Sequence, residues 1–290
     1  LDKDGVIADE KVHADAADFI RAFADIASSS FNPCHSAWNS QCLTWKDRYS
    51  AQNEKRNLDP EKISHYQLVN HLSTLLPEHT LIVTGSSGLA VESFYSTFAS
   101  KVGQRIFLTS GLGSMGYGLS AAIGGCLGNE KQTTILIEGD GSFMLNLQEL
   151  ATLKSCRLPI KAIIFDNDGY ASIRNTQQNY FHSRYIASGS NSGLEIPDLS
   201  SVVKSFGLMS VVLSSPKTLY HDLYDFIHSP QLSVCIVKLC SSEVLSPKVT
   251  AMPQPDGTIV SMPLEDMTPL LDYSILESEM INDLRPISLK

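Results

Sequence analysis

The sequence predicts an α/β fold, in which a doubly wound, mostly parallel sheet carries helices on both faces. Six short apolar runs lie along the central part of the chain, and helical patterns separate most of them. Several runs end in polar turns rich in glycine, at the edge where open parallel sheets bind ligands. No internal repeat of solenoid length is present in the sequence. The predicted strands are residues 81–84, 105–108, 134–138, 162–165, 209–213 and 233–238.

The composition is typical of a soluble globular protein. Of the 290 residues, 43% are hydrophobic, which suffices for one sizeable core. The formal net charge of −9, with no basic run, argues against a nucleic-acid surface. No apolar stretch approaches transmembrane length, and the first residues lack a signal-peptide pattern. The six cysteines form no Cys-x-x-Cys pair, so we expect a cytoplasmic protein without nucleic-acid or membrane partners.

Two polar turns carry the strongest functional signal. The turn 139–142 reads Gly-Asp-Gly-Ser and the turn 167–169 reads Asn-Asp-Gly, and each follows an apolar strand candidate. Asp140 offers a carboxylate oxygen, Asn167 a side-chain carbonyl and Gly169 a backbone carbonyl, which are hard ligands suited to Mg²⁺. Such dipeptides also form ordinary turns, but two of them at this spacing after matching strands favour a binding site.

A third glycine-rich segment, residues 111–118, admits two interpretations. It contains Gly-x-Gly-x-x-Gly between a strand and a helix, which is the dinucleotide-binding pattern. Glu138 or Asp140 would then be the acid that binds the ribose about 20 residues later. A nicotinamide site, however, gives no reason for Gly141 and Ser142 after that acid, or for the turn 167–169.

In combination, these motifs resemble those of thiamine diphosphate enzymes, and segment 111–118 is similar to the corresponding loop of acetolactate synthases. The separation of 27 residues between Asp140 and Asn167 matches that resemblance. The resemblance implies thiamine diphosphate as cofactor and a Mg²⁺ ion, held by Asp140, Asn167 and the Gly169 carbonyl, that bridges to the diphosphate. Asp166 stands where the family usually has a first Asn, which leaves the ligating second position intact.

The resemblance also implies roles for individual residues. Met115 would wedge between the two cofactor rings, for which a deformable thioether is suited. The Gly113 carbonyl would accept a hydrogen bond from the 4′-amino group, and Ile173 would face the reacting carbon. Ser142 and nearby helix amides would meet the phosphates. Further cofactor contacts are expected at Thr84, Gly85, Ser86, Ser114, Gly139, Gly141, Tyr170, Ala171 and Ser172.

The segment after Gly169 bears on the reaction. Pyruvate decarboxylases have a glutamate where this chain has Ile173, and that acid assists protonation. An apolar side chain there favours attack on a second carbonyl, so the resemblance implies a 2-keto acid carboligase, a transferase or lyase. Ser172 and Thr176 replace the Met and Trp of acetolactate synthases, which puts the acceptor in doubt. The alternatives are simple 2-keto acid decarboxylation and a non-catalytic cofactor-binding or assembly module.

The resemblance divides the chain into four parts. We expect the remnant of a central domain, a helical or linker segment, the diphosphate-binding domain and an extended C-terminal tail, at residues 1–28, 29–63, 64–246 and 247–290 respectively. In this family, a pyrimidine-binding domain supplies the glutamate that activates the cofactor. We therefore expect that domain to come from a longer polypeptide or from another subunit, a homodimer or larger assembly, and inactivity of this piece alone.

Overall fold

A computed structural model divides the chain into two units, Leu1–Ser50 and Ala51–Lys290. It describes residues 8–30, 35–50, 59–86, 88–109, 111–254 and 256–284. Part of the expected linker, around residues 51–58, lies outside the described residues. The first unit contains helices α1 (Ala16–Ser30) and α2 (Ser36–Arg48).

The second unit contains a six-stranded, wholly parallel sheet in the order β2-β1-β3-β4-β6-β5. Its strands are β1 (Leu81–Thr84), β2 (Arg105–Phe107), β3 (Thr134–Gly139), β4 (Ile160–Asp166), β5 (Met209–Leu213) and β6 (Leu232–Lys238). Its helices are α3 (His65–Leu75), α4 (Leu89–Thr97), α5 (Tyr117–Gly128), α6 (Asp140–Phe143), α7 (Glu149–Ser155), α8 (Ala171–Tyr180), α9 (Leu199–Ser205) and α10 (Leu219–His228). The predicted fold class is confirmed, and the strand bounds differ from the prediction by at most two residues.

Alternation along the central strands builds two hydrophobic cores. In β3, Ile135 and Ile137 join the core that contains Leu68 of α3 and Phe94 of α4. Leu136 points to the opposite core, which contains residues of α5, α7 and α9. Since successive side chains of a strand face opposite sides of the sheet, helices are needed on both faces to bury them.

The strand order creates a switch point between β1 and β3. After β1 the chain crosses to β2 on one side, and after β3 it crosses to β4 on the other side. The connections therefore leave the carboxyl ends of these neighbouring strands in opposite directions and open a crevice between them. The predicted binding turns follow β1, β3 and β4 at this edge.

The segment 247–290, expected as an extended tail, contains some regular structure. Strand β7 (Ala251–Pro253) pairs antiparallel with β8 (Ile259–Ser261), and helix α11 (Tyr273–Glu279) follows. The Gln254 amide donates to the Thr258 carbonyl (2.7 Å), and Gly257 adopts φ +84°, so the connecting loop closes a hairpin. Proline is tolerated at position 253 because it is the last residue of β7 in a two-stranded sheet, where every strand is an edge strand.

None of the helices in the described part of the chain has both the length and the hydropathy that a bilayer span requires.

Candidate functional site

The switch-point crevice contains a cavity of about 330 Å³. Most of the predicted site residues meet there, although they come from three different loops. The cavity is lined by Gly88, Leu89, Ala90, Gly113, Met115, Gly139, Asp140, Gly141, Ser142, Asn167, Gly169, Tyr170, Ala171, Ser172 and Ile173.

Thr84, Gly85 and Ser86, which were expected to contact the cofactor, do not line this cavity. Thr84 is fully buried and its hydroxyl donates to the Gly85 carbonyl (2.8 Å), so this hydroxyl does not line the cavity. Ser86 donates its hydroxyl proton to the Ser114 carbonyl and ties two loops together. The cavity is instead reached by Gly88 and the start of α4, which the sequence analysis did not select. Gly88 caps this helix at φ +93°, and a glycine directly before an apolar helix is the signal that could have identified it.

The Asp140 carboxylate is held by backbone amides at the base of the cavity. One oxygen accepts from the Gly141 amide (2.7 Å), and the other accepts from the amides of Gly169 (2.7 Å) and Asn167 (3.2 Å). Burial raises the pKa of Asp140 to about 7, against the lowering effect of the Gly169 hydrogen bond. A cation in the cavity would favour the ionised form, and a carboxylate retains lone pairs beyond these bonds.

Among the buried side-chain nitrogen and oxygen atoms in the described part of the chain, two have no hydrogen-bond partner, Asn167 Oδ1 and Ser172 Oγ. Both residues line the cavity. Buried polar atoms almost always have a hydrogen-bond partner. Two unpartnered atoms on residues that line the same cavity therefore indicate groups that bind a ligand. An amide oxygen is a hard metal ligand, and a hydroxyl can donate to a phosphate.

The remaining predicted metal ligand also fits. The Gly169 carbonyl accepts one hydrogen bond from the Ala171 amide (3.1 Å), and its second lone pair remains for a cation. Within the described ranges, no group of three or more His, Cys, Asp or Glu side chains could hold a metal. The predicted ligands are one carboxylate, one amide oxygen and one backbone carbonyl, so they do not form such a group of side chains. This set suits a Mg²⁺ ion that also binds phosphate oxygens.

Two glycines allow the turns to approach each other. Gly169 adopts φ +96°, and a Cβ there would lie 2.6 Å from Leu194 Cδ2. A Cβ at Gly141 would lie 2.5 Å from Tyr170 Cε1, so the Tyr170 ring packs directly on the Gly141 backbone. Since α8 begins at Ala171, this packing places the first turn of that helix beside the turn that carries Asp140.

Glu138 is the residue whose role sequence reasoning missed. Its fully buried carboxylate accepts from the amides of Gly118 (3.1 Å) and Gly139 (3.2 Å). A Cβ at Gly85 or at Gly118 would lie 2.1 Å from one of its oxygens. Burial raises the pKa of Glu138 to about 7, with hydrogen bonds from Ser142 and the backbone opposing. The carboxylate thus lies where the loops that contain Gly85, Gly118 and Gly139 meet.

The loop 111–118 is fastened to the loop after β3. The Gly116 amide donates to Ser142 Oγ (2.9 Å), and Asn146 Nδ2 donates to the Gly116 carbonyl (3.0 Å). Met115 is 43% exposed, and Ile173, which also lines the cavity, is 45% exposed. The cavity therefore has a polar base and an apolar rim.

Arg174 supports the turn 167–169 with four hydrogen bonds. Its guanidinium donates to the carbonyls of Asn167 (2.6 Å), Asp168 (2.5 Å), Ser188 (2.7 Å) and Ser241 (3.2 Å). A planar guanidinium suits such convergent carbonyls, and the four bonds hold the turn 167–169 against its neighbours.

The comparisons with known proteins agree with this geometry. The model of the C-terminal TPP binding domain of thiamine pyrophosphate enzymes matches residues 84–237. Thiamine pyrophosphate and thiamine diphosphate are the same compound.

Acetolactate synthase large subunits are among the similar proteins. That of Parasynechococcus marenigrum (strain WH8102) is 30% identical over 220 residues, covering 75% of this chain and 34% of that protein. That of Porphyra purpurea is 26% identical over 227 residues, covering 74% and 36%. The isozyme 2 large subunit of Escherichia coli (strain K12) is 38% identical over 105 residues, covering 36% and 19%.

The chain spans about a third of the length of the first two of these relatives. The family match extends over just over half of the chain, and it includes most of the loops that form the cavity. The chain therefore belongs to the thiamine pyrophosphate enzymes, and it contains their C-terminal TPP-binding domain.

Proposed function

We propose that this chain is the cofactor- and metal-binding part of a thiamine diphosphate- and Mg²⁺-dependent carboligase that acts on 2-keto acids, as acetolactate synthases do. The observation that carries the proposal is the meeting of the buried Asp140 carboxylate with two unpartnered polar atoms, Asn167 Oδ1 and Ser172 Oγ, in one cavity. Hard oxygen ligands beside a hydroxyl donor match a magnesium diphosphate.

The residues at the base of the cavity hold the charged end of the cofactor. Asp140, Asn167 Oδ1 and the Gly169 carbonyl would hold Mg²⁺, and the Ser172 hydroxyl would donate to a diphosphate oxygen. The Ser142 hydroxyl lies beside them but is bonded to Glu138. Amides at the start of α8 add the favourable field of a helix N-terminus. Thiamine diphosphate, when bound, supplies the electron sink for decarboxylation and carbon–carbon bond formation.

The apolar rim sets the environment of the reacting carbon. Met115 supports the cofactor rings, and the backbone of Gly113 offers a fixed acceptor for the 4′-amino group. Ile173 excludes water and has no proton to donate. An environment without a proton donor favours bond formation to a second carbonyl over release of an aldehyde.

Substitution of Ile173 by Glu tests the reaction. Ile173 is 45% exposed toward the cavity, so a glutamate fits there without a buried charge. In the intact enzyme supplied with a small 2-keto acid and an acceptor, we expect the parent protein to form mainly ligated product. We expect Ile173→Glu to shift the product ratio toward aldehyde by roughly 10²-fold, since a positioned acid delivers a proton. Mass spectrometry of the products measures this ratio.

Ile173→Leu is the matched control, because it keeps the side chain apolar and should keep the ratio. If the parent enzyme releases mainly aldehyde and Ile173→Glu leaves the ratio unchanged, simple decarboxylation replaces carboligation. If the intact protein turns over no 2-keto acid although it binds the cofactor, the assembly-module alternative is supported.

A second polypeptide surface completes the cavity. The rim exposes apolar side chains, and Leu112 in the adjacent loop is 89% exposed. A larger hollow of about 610 Å³ lies beside the edge strand β2 and is lined by small residues of α5, such as Ala121 and Gly124. Exposed apolar patches of this kind mark interaction sites. The occupant is the pyrimidine-binding domain of the same polypeptide or of another copy, in a homo-oligomer.

We expect this chain alone to self-associate through the loop 111–118. Leu112→Glu should reduce the apparent mass measured by light scattering, because it places a charge on the apolar rim at no cost to the core. Met209→Glu on the opposite edge strand β5 is the control, since Met209 is also exposed. A clean monomer for the unaltered chain and for the full-length protein contradicts the proposed assembly.

A further inference from the structure

A buried chain of hydrogen bonds connects Glu243 and His65 to Asn167, in the turn 167–169. His65, at the start of α3, has its Nδ1 at 2.8 Å from Glu243 Oε2 and its Nε2 at 3.0 Å from Asn167 Nδ2. His65 is fully buried, and Glu243 nearly so. Glu243 is 178 residues from His65 along the chain, and Asn167 is 102 residues away. Asn167 lines the cavity, and its side-chain oxygen Oδ1 has no hydrogen-bond partner.

The proton on the imidazole can be assigned from its partners. Glu243 also accepts from Ser64 Oγ (2.7 Å) and from the His65 amide (2.7 Å). Burial acts to raise the pKa of Glu243, but the bonds from His65 and Ser64 outweigh it and leave this pKa below its ordinary value. An ionised carboxylate can only accept, so Nδ1 carries a proton. Nε2 faces Asn167 Nδ2, which can only donate, so Nε2 presents a lone pair to it.

That lone pair distinguishes the two ends of the Asn167 amide. It accepts from Nδ2, so the carbonyl oxygen must point away from His65. If the Asn167 amide were rotated by 180°, the lone pairs of its Oδ1 would face the lone pair of His65 Nε2. The N–H groups of Nδ2 would then face the cavity. N–H groups repel a cation, so this orientation would abolish a metal ligand.

We propose that His65 and Glu243 are positioning residues that hold the Asn167 amide with Oδ1 aimed at the divalent cation. The inference rests on the proposed function, because it assigns the cation to this cavity. Neither residue lines the cavity, so each would act through Asn167. Partners behind a ligand commonly change metal affinity by 10- to 100-fold when they are removed.

A second role of Glu243 must be separated from the first. Its contacts with Ser64 and the His65 amide cap the N-terminus of α3, and these contacts do not involve Nε2. Asn and Gln at position 65 divide the two roles, because an Asn amide reaches about the place of Nδ1 and a Gln amide about the place of Nε2. His65→Asn keeps a donor for Glu243 and loses the acceptor for Asn167, whereas His65→Gln keeps that acceptor.

The experiment titrates Mn²⁺ into this chain in the presence of thiamine diphosphate, and electron paramagnetic resonance reports free Mn²⁺. We expect His65→Asn to weaken Mn²⁺ binding at least tenfold and His65→Gln to restore most of the affinity. Equal affinities of the parent chain and a folded His65→Asn variant would overturn the inference. Absence of Mn²⁺ binding by the parent chain would instead overturn the proposed function, and the inference with it.

A measurement on the parent chain does not depend on the folding of His65→Asn. The chain has eight histidines, and long-range ¹H–¹⁵N spectra report which ring nitrogen of each carries the proton. We expect the His65 signal, identified by its loss in His65→Gln, to show protonated Nδ1 and an unprotonated Nε2. A proton on Nε2 would mean that the imidazole donates to Asn167, and the proposal would be wrong even if His65→Asn fails to fold.

Discussion

Asp140→Ala is expected to weaken Mg²⁺-dependent binding of thiamine diphosphate to this chain by more than tenfold, or about 1.4 kcal/mol. Asp140 supplies the only carboxylate among the proposed ligands, and its charge is the largest attraction for the cation. Isothermal titration calorimetry with Mg²⁺ measures the effect. The same titration with excess EDTA should show that most of the affinity depends on the metal.

Two further variants separate charge from shape. Asp140→Asn retains the shape of the side chain and should lose nearly as much affinity as Asp140→Ala. Asp168→Asn is the control, because the Asp168 carboxylate accepts from Ser190 (3.0 Å to its hydroxyl) and does not line the cavity. Unchanged affinity in both Asp140 variants would remove the proposed metal site, whereas a matching loss in Asp168→Asn would indicate a general disturbance of the turn.

Gly118→Ala is expected to destabilise the fold by about 1–3 kcal/mol, although alanine normally stabilises a helix relative to glycine. Gly118 lies in the first turn of α5, and its new Cβ would meet Glu138 Oε2 at 2.1 Å and Leu136 Cδ1 at 3.0 Å. The carboxylate cannot withdraw easily, because it is fully buried and bonded to backbone amides. Urea unfolding measures the change.

Gly124→Ala in the same helix provides the matched control. No atom lies within 4 Å of its new Cβ, so this variant should gain about 0.5–1 kcal/mol from helix propensity. A double-mutant cycle with Glu138→Ala should show that the cost of Gly118→Ala falls when the carboxylate is removed. Stabilisation of the fold by Gly118→Ala would refute the close approach of the two residues.

Local chemistry explains which elements could be predicted. The strands β1, β3 and β4 were found because buried parallel strands are short apolar runs that end in turns. The approach of Asp140 to the turn 167–169 was also predictable, since carboxyl ends of neighbouring parallel strands share one edge of the sheet. The strand around Met252 was not among the predicted strands, because its pairing depends on a partner strand and not on a local apolar run.

The sequence by itself determined the fold class and the family, and it predicted a group of hard ligands after β3 and β4, because these depend on side-chain type and on spacing within short segments. Tertiary structure alone decided that the Thr84 hydroxyl turns away from the cavity and that Glu138 joins three loops. It also decided that His65 and Glu243 meet behind Asn167. Contacts between segments more than 100 residues apart leave no periodicity in the sequence, since they depend on strand order and packing.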